Sequence, residues 1–135
     1  MSKPIISIDF DGTLTRPEVQ EFIINNRYRV DFVILTARYD ELHKHLYSPN
    51  PDNSDLYNLV SELDLPLSRI YFTNMRPKWE FLKGTKVIAH LDDMSHELLA
   101  IDYYLWDQHG LRTVDVTSDA WIDNLNTLIN RYYNN

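Results

Sequence analysis

The chain alternates short apolar runs with longer stretches whose apolar residues recur at three- and four-residue steps. Pro4-Ile5-Ile6-Ser7-Ile8 is the first run. It is short and rich in isoleucine, which predicts a buried strand. It ends abruptly in Asp9-Phe10-Asp11-Gly12-Thr13-Leu14-Thr15. Arg16-Pro17 then reads as a helix start, because Pro fits the first helical turn. Val19, Phe22 and Ile23 share a face of that helix through about Asn26. Phe32-Val33-Ile34-Leu35 is an unbroken apolar run, suited to a central parallel strand covered on both faces, and it leads into Thr36-Ala37-Arg38. Asp40 is expected to cap a short helix carrying Leu42, Leu46 and Tyr47. Ser48–Asn53 is the clearest loop. Ser54 is expected to cap a helix with Leu56, Leu59, Val60 and Leu63 on one face, and Pro66 lies just past its end.

Ile70-Tyr71-Phe72 predicts a third strand, ending at Thr73-Asn74. Pro77 opens a short helix with Lys78 in its first turn, and Gly84 stops it. Val87-Ile88-Ala89-His90-Leu91 predicts a fourth strand, ending in Asp92-Asp93. Met94, Leu98, Ile101 and Leu105 mark a helix for which Gly110 is the expected stop. Thr113–Val116 is a weak fifth strand. Thr117 or Ser118 is expected to cap a last helix carrying Trp121, Leu125, Leu128 and Tyr132. This alternation predicts an α/β chain with a three-layer Rossmann-like fold: a mostly parallel five-stranded sheet with helices on both faces. In such sheets ligands bind beyond the carboxyl ends of the strands. Asp9, Asp11, Thr36, Lys78, Asp92 and Asp93 all fall at or just past those ends.

Composition narrows the picture. A length of 135 residues fits one domain over residues 1–135. The chain has no cysteine, which excludes disulfides, thiolate metal sites and a thiol nucleophile. A net charge of −7 makes general nucleic-acid binding a poor fit, because that binding rests on a positive field. No apolar run approaches the ~18 residues of a membrane span and no leader pattern precedes the first strand. A soluble cytoplasmic protein without membrane association is expected.

The candidate chemistry lies in the acids. Asp9 and Asp11 are two residues apart, and on an extended chain they point to the same side. Like charges so close need a counter-charge, and a hard divalent cation such as Mg²⁺ prefers oxygen ligands. With Lys78 and Thr36 as donors for phosphate oxygens, the set fits phosphoryl transfer, where catalysis is mostly positioning and charge neutralisation. One carboxylate can attack phosphorus and a second can serve as general acid and base. Lys83 and Lys86 are alternatives to Lys78, although Lys86 precedes a strand and so sits at the wrong end of the sheet. Arg38 is read as equally a substrate contact or a surface arginine. His90 reads as a buried structural histidine, and Trp79, Trp106 and Trp121 as core or partly buried packing. Glu97 reads as a helix N-terminal charge.

Asp9-Phe10-Asp11-Gly12-Thr13-Leu14 resembles the D-x-D-G-T-[LV] signature of the haloacid dehalogenase superfamily. A threonine after a hydrophobic strand (Thr36), a lysine (Lys78) and a strand ending in Asp92-Asp93 follow in that family's order. The resemblance covers about residues 5–93. It implies a phosphatase with Asp9 as nucleophile and Asp11 as general acid and base. It implies Mg²⁺ on Asp9, the backbone carbonyl of Asp11, and Asp92, with Asp93 supporting, and Gly12, Thr36 and Lys78 around the phosphoryl group. The second aspartate, replaced in relatives that dehalogenate, is kept here. Many relatives carry a cap domain, but only 24 residues separate Asp11 from Thr36 and 41 separate Thr36 from Lys78. A capless, open site follows, with Ser48–Asn53 as its one candidate lid and a partner subunit compatible with it. Thr36-Ala37-Arg38 resembles a run in nucleotidases and polynucleotide phosphatases, which leans toward nucleotides or phosphorylated polynucleotide ends. The competing reading is a non-enzymatic phospho-acceptor or binding domain on the same fold.

Overall fold

The structure is a computed structural model describing residues 2–47 and 52–134. Ser48–Pro51, most of the candidate lid, lie outside the described residues. Among the described residues the five strands are β1 (Ile5–Ile8), β2 (Asp31–Thr36), β3 (Ile70–Phe72), β4 (Val87–Asp92) and β5 (Arg112–Asp115). They form one sheet in the order β3-β2-β1-β4-β5. Every neighbouring pair is parallel, so the sheet is parallel throughout. The helices are α1 (Pro17–Asn26), α2 (Lys44–Tyr47), α3 (Ser54–Glu62), α4 (Lys78–Leu82), α5 (Ser95–Tyr104) and α6 (Trp121–Tyr133). Among the described residues no helix is long and apolar enough to cross a membrane.

Side chains alternate across each strand, and the two faces are covered differently. Ile6, Ile8, Phe32, Ile34, Ala89 and Leu91 pack against α1, α3 and α6 in the larger core, where Phe22 meets Trp121 edge-on at 5.6 Å. Leu35 and Val87 face the other way and pack on Leu82 of α4, Ile101 of α5 and Leu105 just past its end. The chain moves outward from β1 to β2 to β3, then returns across the sheet to β4 and β5. The direction of winding therefore reverses between β1 and β4, and a crevice opens at their carboxyl ends.

Several local expectations need correction. Ser54 is the first residue of α3, and Asp52 Oδ1 accepts its N–H at 2.8 Å. Asp40 accepts the His43 N–H at 2.8 Å in the turn before α2, while Leu42 and Leu46 are exposed. A four-residue helix is too short to bury an apolar face. Helix α5 ends at Tyr104, six residues before Gly110, which lies in the turn to β5. Ala120 is the residue before α6; Ser118 Oγ accepts its N–H at 3.3 Å. The buried stripe of α6 is Trp121, Leu125 and Ile129 at four-residue steps, with Leu128 at its edge. Trp106 is 74% exposed and is not core.

Candidate active site

Three strand ends and one helix start build the site. β1 stops at Ile8, and Asp9 follows with its N–H donated to Leu91 O at 2.9 Å. The chain then turns at once. Asp11 (φ −67°, ψ 122°) and Gly12 (φ 77°, ψ −1°) have the dihedrals of the central pair of a type II turn. That turn needs positive φ at its second position, which glycine adopts without strain. A Cβ on Gly12 would lie 2.3 Å from Asp93 Oδ2, so the missing side chain also makes room for that carboxylate.

The turn separates the two acids that an extended chain would place side by side. Asp9 is 5% exposed and points inward. The Asp11 carboxylate is exposed and receives a bidentate pair from Arg38, Nε at 2.9 Å and Nη2 at 2.8 Å. Each acid thus has its own cation. Arg38 also binds Asp55 of α3 at 2.7 and 2.9 Å and lies 4.8 Å over the Phe10 ring. Hydrogen bonds donated to Asp55 and Asp11 hold its guanidinium charged more firmly than usual.

Lys78 opens α4 and reaches into the crevice. Its Nζ donates to Asp9 Oδ1 at 2.6 Å and Asp92 Oδ2 at 2.7 Å, with all three side chains buried. Lys83 and Lys86 are exposed, and Lys86 precedes β4 at the far end of the sheet. Burial works against the Lys78 charge, but Asp9 and Asp92 outweigh it and raise its pKa. The two carboxylates diverge although Lys78 is equidistant. Burial dominates at Asp9; Lys78 opposes it, Asp92 adds to it, and the pKa is pushed up to about 7. Burial acts on Asp92 too, but there it is overcome by His90 and Lys78, which hold the carboxyl well below the usual range. Asp92 accepts two further donors, His90 Nε2 at 2.8 Å and Met94 N–H at 3.1 Å. Besides Lys78, Asp9 has among the described residues only the Thr13 hydroxyl as a donor, at 3.2 Å, which lies equally close to Asp93 and carries a single proton.

Asp9, Asp92 and Asp93 each offer an oxygen, all within 4.8 Å of one another. Three hard oxygen donors in that span fit a divalent cation of the Mg²⁺ or Ca²⁺ kind. The Gly12 cradle under Asp93 and the shortage of donors at Asp9 and Asp93 fit it too. The carboxylate of Asp11 is not in this cluster; Asp93 is. Thr36 closes β2 fully buried, its Oγ1 accepting the Arg38 N–H at 3.3 Å. Glu97 accepts the Lys78 N–H at 3.3 Å.

His90 is buried as expected, and its link to the site, like those of Thr13, Asp55 and Thr73, is not apparent from the sequence reading. His90 shares a face with Asp92 two residues on, and its other nitrogen meets Ser7 Oγ at 2.8 Å. Burial lowers its pKa, which favours a neutral ring with Nε2–H on Asp92 and Nδ1 accepting from Ser7. The i,i+2 spacing was the available signal. Thr13 was visible only as part of the Asp-Gly-Thr run. Asp55, the second partner of Arg38, gave no signal. Thr73 at the end of β3 is fully buried, and its hydroxyl has no hydrogen-bond partner among the described residues.

No family model matches the chain, and no curated protein or solved structure matches it either.

Proposed function

We propose that the chain is a Mg²⁺-dependent phosphomonoester hydrolase of the haloacid dehalogenase type, acting through an aspartyl-phosphate on Asp9. The observation that carries this reading is the convergence of Asp9, Asp92 and Asp93 at the sheet's carboxyl edge, with the Lys78 ammonium bonded to two of them. Asp9, Asp92 and Asp93 would hold Mg²⁺, which when bound offsets their charge against that of a phosphoryl group. Asp9 attacks phosphorus, and the bond to the leaving oxygen breaks. Asp11, protonated from solvent once Arg38 releases it, gives that proton to the leaving oxygen and then takes one from the water that hydrolyses the acyl phosphate. To do so, its carboxylate exchanges Arg38 for the leaving oxygen. Lys78 steadies the phosphoryl oxygens beside Asp9, and the turn at Gly12 and the Thr36 hydroxyl complete the phosphate site. Arg38 is matched by Asp11 and Asp55, and Asp55 keeps it paired when Asp11 turns to the leaving oxygen.

The test is a panel of phosphate esters, nucleotides and 3′- or 5′-phosphorylated DNA ends, assayed with Mg²⁺ or EDTA. Phosphate release that needs Mg²⁺ and disappears in Asp9→Asn is expected. Silence across the panel would sink the proposal, and a long-lived acyl phosphate without turnover would favour a phospho-acceptor domain.

A further inference from the structure

The second face of the sheet is only partly covered. The connections through α1 and α3 both lie on the first face, so β2 and β3 depend on α4 for cover on the second. α4 has five residues and seats Leu82 over Leu35 and Val87. Beside it lies a groove of about 290 Å³ floored by Ile5, Val33, Leu35 and Tyr71 and walled by Phe81. Tyr71 and Phe81 are 50% and 39% exposed. The volume is at the lower end for ligand pockets, about 300 Å³. None of the carboxylate cluster lines it.

The polar groups of the groove divide into two kinds. Inside, the Ser7 and Thr85 hydroxyls are committed, Ser7 to His90 at 2.8 Å and Thr85 to Leu82 O at 2.8 Å, and the other hydroxyl is that of the half-exposed Tyr71. At the amino ends of the strands, Arg69 before β3 and Lys86 before β4 also line the groove. Among the described residues neither has an ion-pair or hydrogen-bond partner for its side chain. Arg69 is half-buried; Asp31 and Asp64 line a neighbouring cleft with it but form no ion pair. A partly desolvated, unmatched guanidinium beside an apolar hollow complements an anion with an apolar body.

We propose that this groove binds a small amphipathic carboxylate, its apolar body over Val33 and Leu35 and its carboxylate at Arg69 and Lys86. The proposal goes beyond the phosphatase reading and does not depend on it. The test is a titration of the full chain with octanoate, followed by amide NMR. Saturable shifts centred on Tyr71, Phe81 and Lys86 are expected. Octanol, which keeps the chain but lacks the charge, should bind about tenfold more weakly. Replacing both cations (Arg69→Ala with Lys86→Ala) should weaken octanoate by a similar factor; both are surface positions outside the core, so the fold should persist. Absence of saturable shifts at millimolar octanoate would overturn the proposal. So would equal affinity for octanol, an unaffected double variant, or groove shifts that follow protein concentration instead, which would mark a second copy as the occupant.

Discussion

Lys78→Met tests the electrostatics of the cluster without reference to catalysis. Methionine keeps most of the apolar stem and removes the ammonium, which lies 2.6 Å from Asp9 and 2.7 Å from Asp92. Removing one partner of a buried pair leaves uncompensated charge and typically costs about 3–5 kcal/mol. In EDTA at pH 8 the variant should therefore melt roughly 10–20 °C below the parent. At pH 5.5 the loss should be smaller, because Asp9, pushed up to about 7 by burial, takes up a proton there. A divalent cation can replace the lost charge at Asp9, Asp92 and Asp93. Mg²⁺ at a hundred times its dissociation constant should return about 2.7 kcal/mol. The assay is thermal or urea unfolding with EDTA and with Mg²⁺. A loss below about 1 kcal/mol, the size of an exposed pair, would refute the reasoning, as would a melting point indifferent to Mg²⁺.

Asp9→Asn should stabilise the cation-free protein. An acid whose folded pKa lies above its unfolded value binds its proton more tightly in the fold, so the parent loses stability as pH rises from about 4 to about 7. The variant should gain about 1–3 kcal/mol at pH 8 and nothing near pH 4; a parent more stable at pH 8 would contradict this. Gly12→Ala meets both positive φ and a 2.3 Å clash with Asp93, and should cost about 1–3 kcal/mol in melts. A neutral outcome would show that the turn does not need glycine. His90→Phe removes a donor from Asp92 and should weaken divalent-cation binding about 10–100-fold by calorimetry, with Ser7→Ala showing a smaller loss. Unchanged affinity in His90→Phe would reduce that histidine to core packing.

The strands were legible because buried parallel strands are short apolar runs, and β2 and β4 extend the predicted runs by only one or two residues. Their carboxyl ends converge by topology alone, which is why Asp9, Thr36 and Asp92 could be grouped from sequence. Helix ends were less legible. Backbone turns set them as much as residue type, and so Ser54 and Gly110 misled. Within the site, the parting of Asp9 from Asp11 depends on a turn that begins one residue after the strand, where extended-chain geometry no longer applies. The Ser7–His90 bond depends on the register of β1 with β4, which pairs those residues directly across the sheet. Arg38 with Asp55 joins a strand end to a helix start, a meeting that no local spacing announces.

The proposed phosphorylation of Asp9 during turnover can be trapped by quenching the protein during reaction with an aryl phosphate and Mg²⁺, reducing with borohydride, and sequencing the peptides by mass spectrometry. Homoserine at position 9, the reduction product of an aspartyl-phosphate, is expected only when Mg²⁺ and substrate are both present. An unmodified Asp9 in a preparation that is releasing phosphate would contradict it.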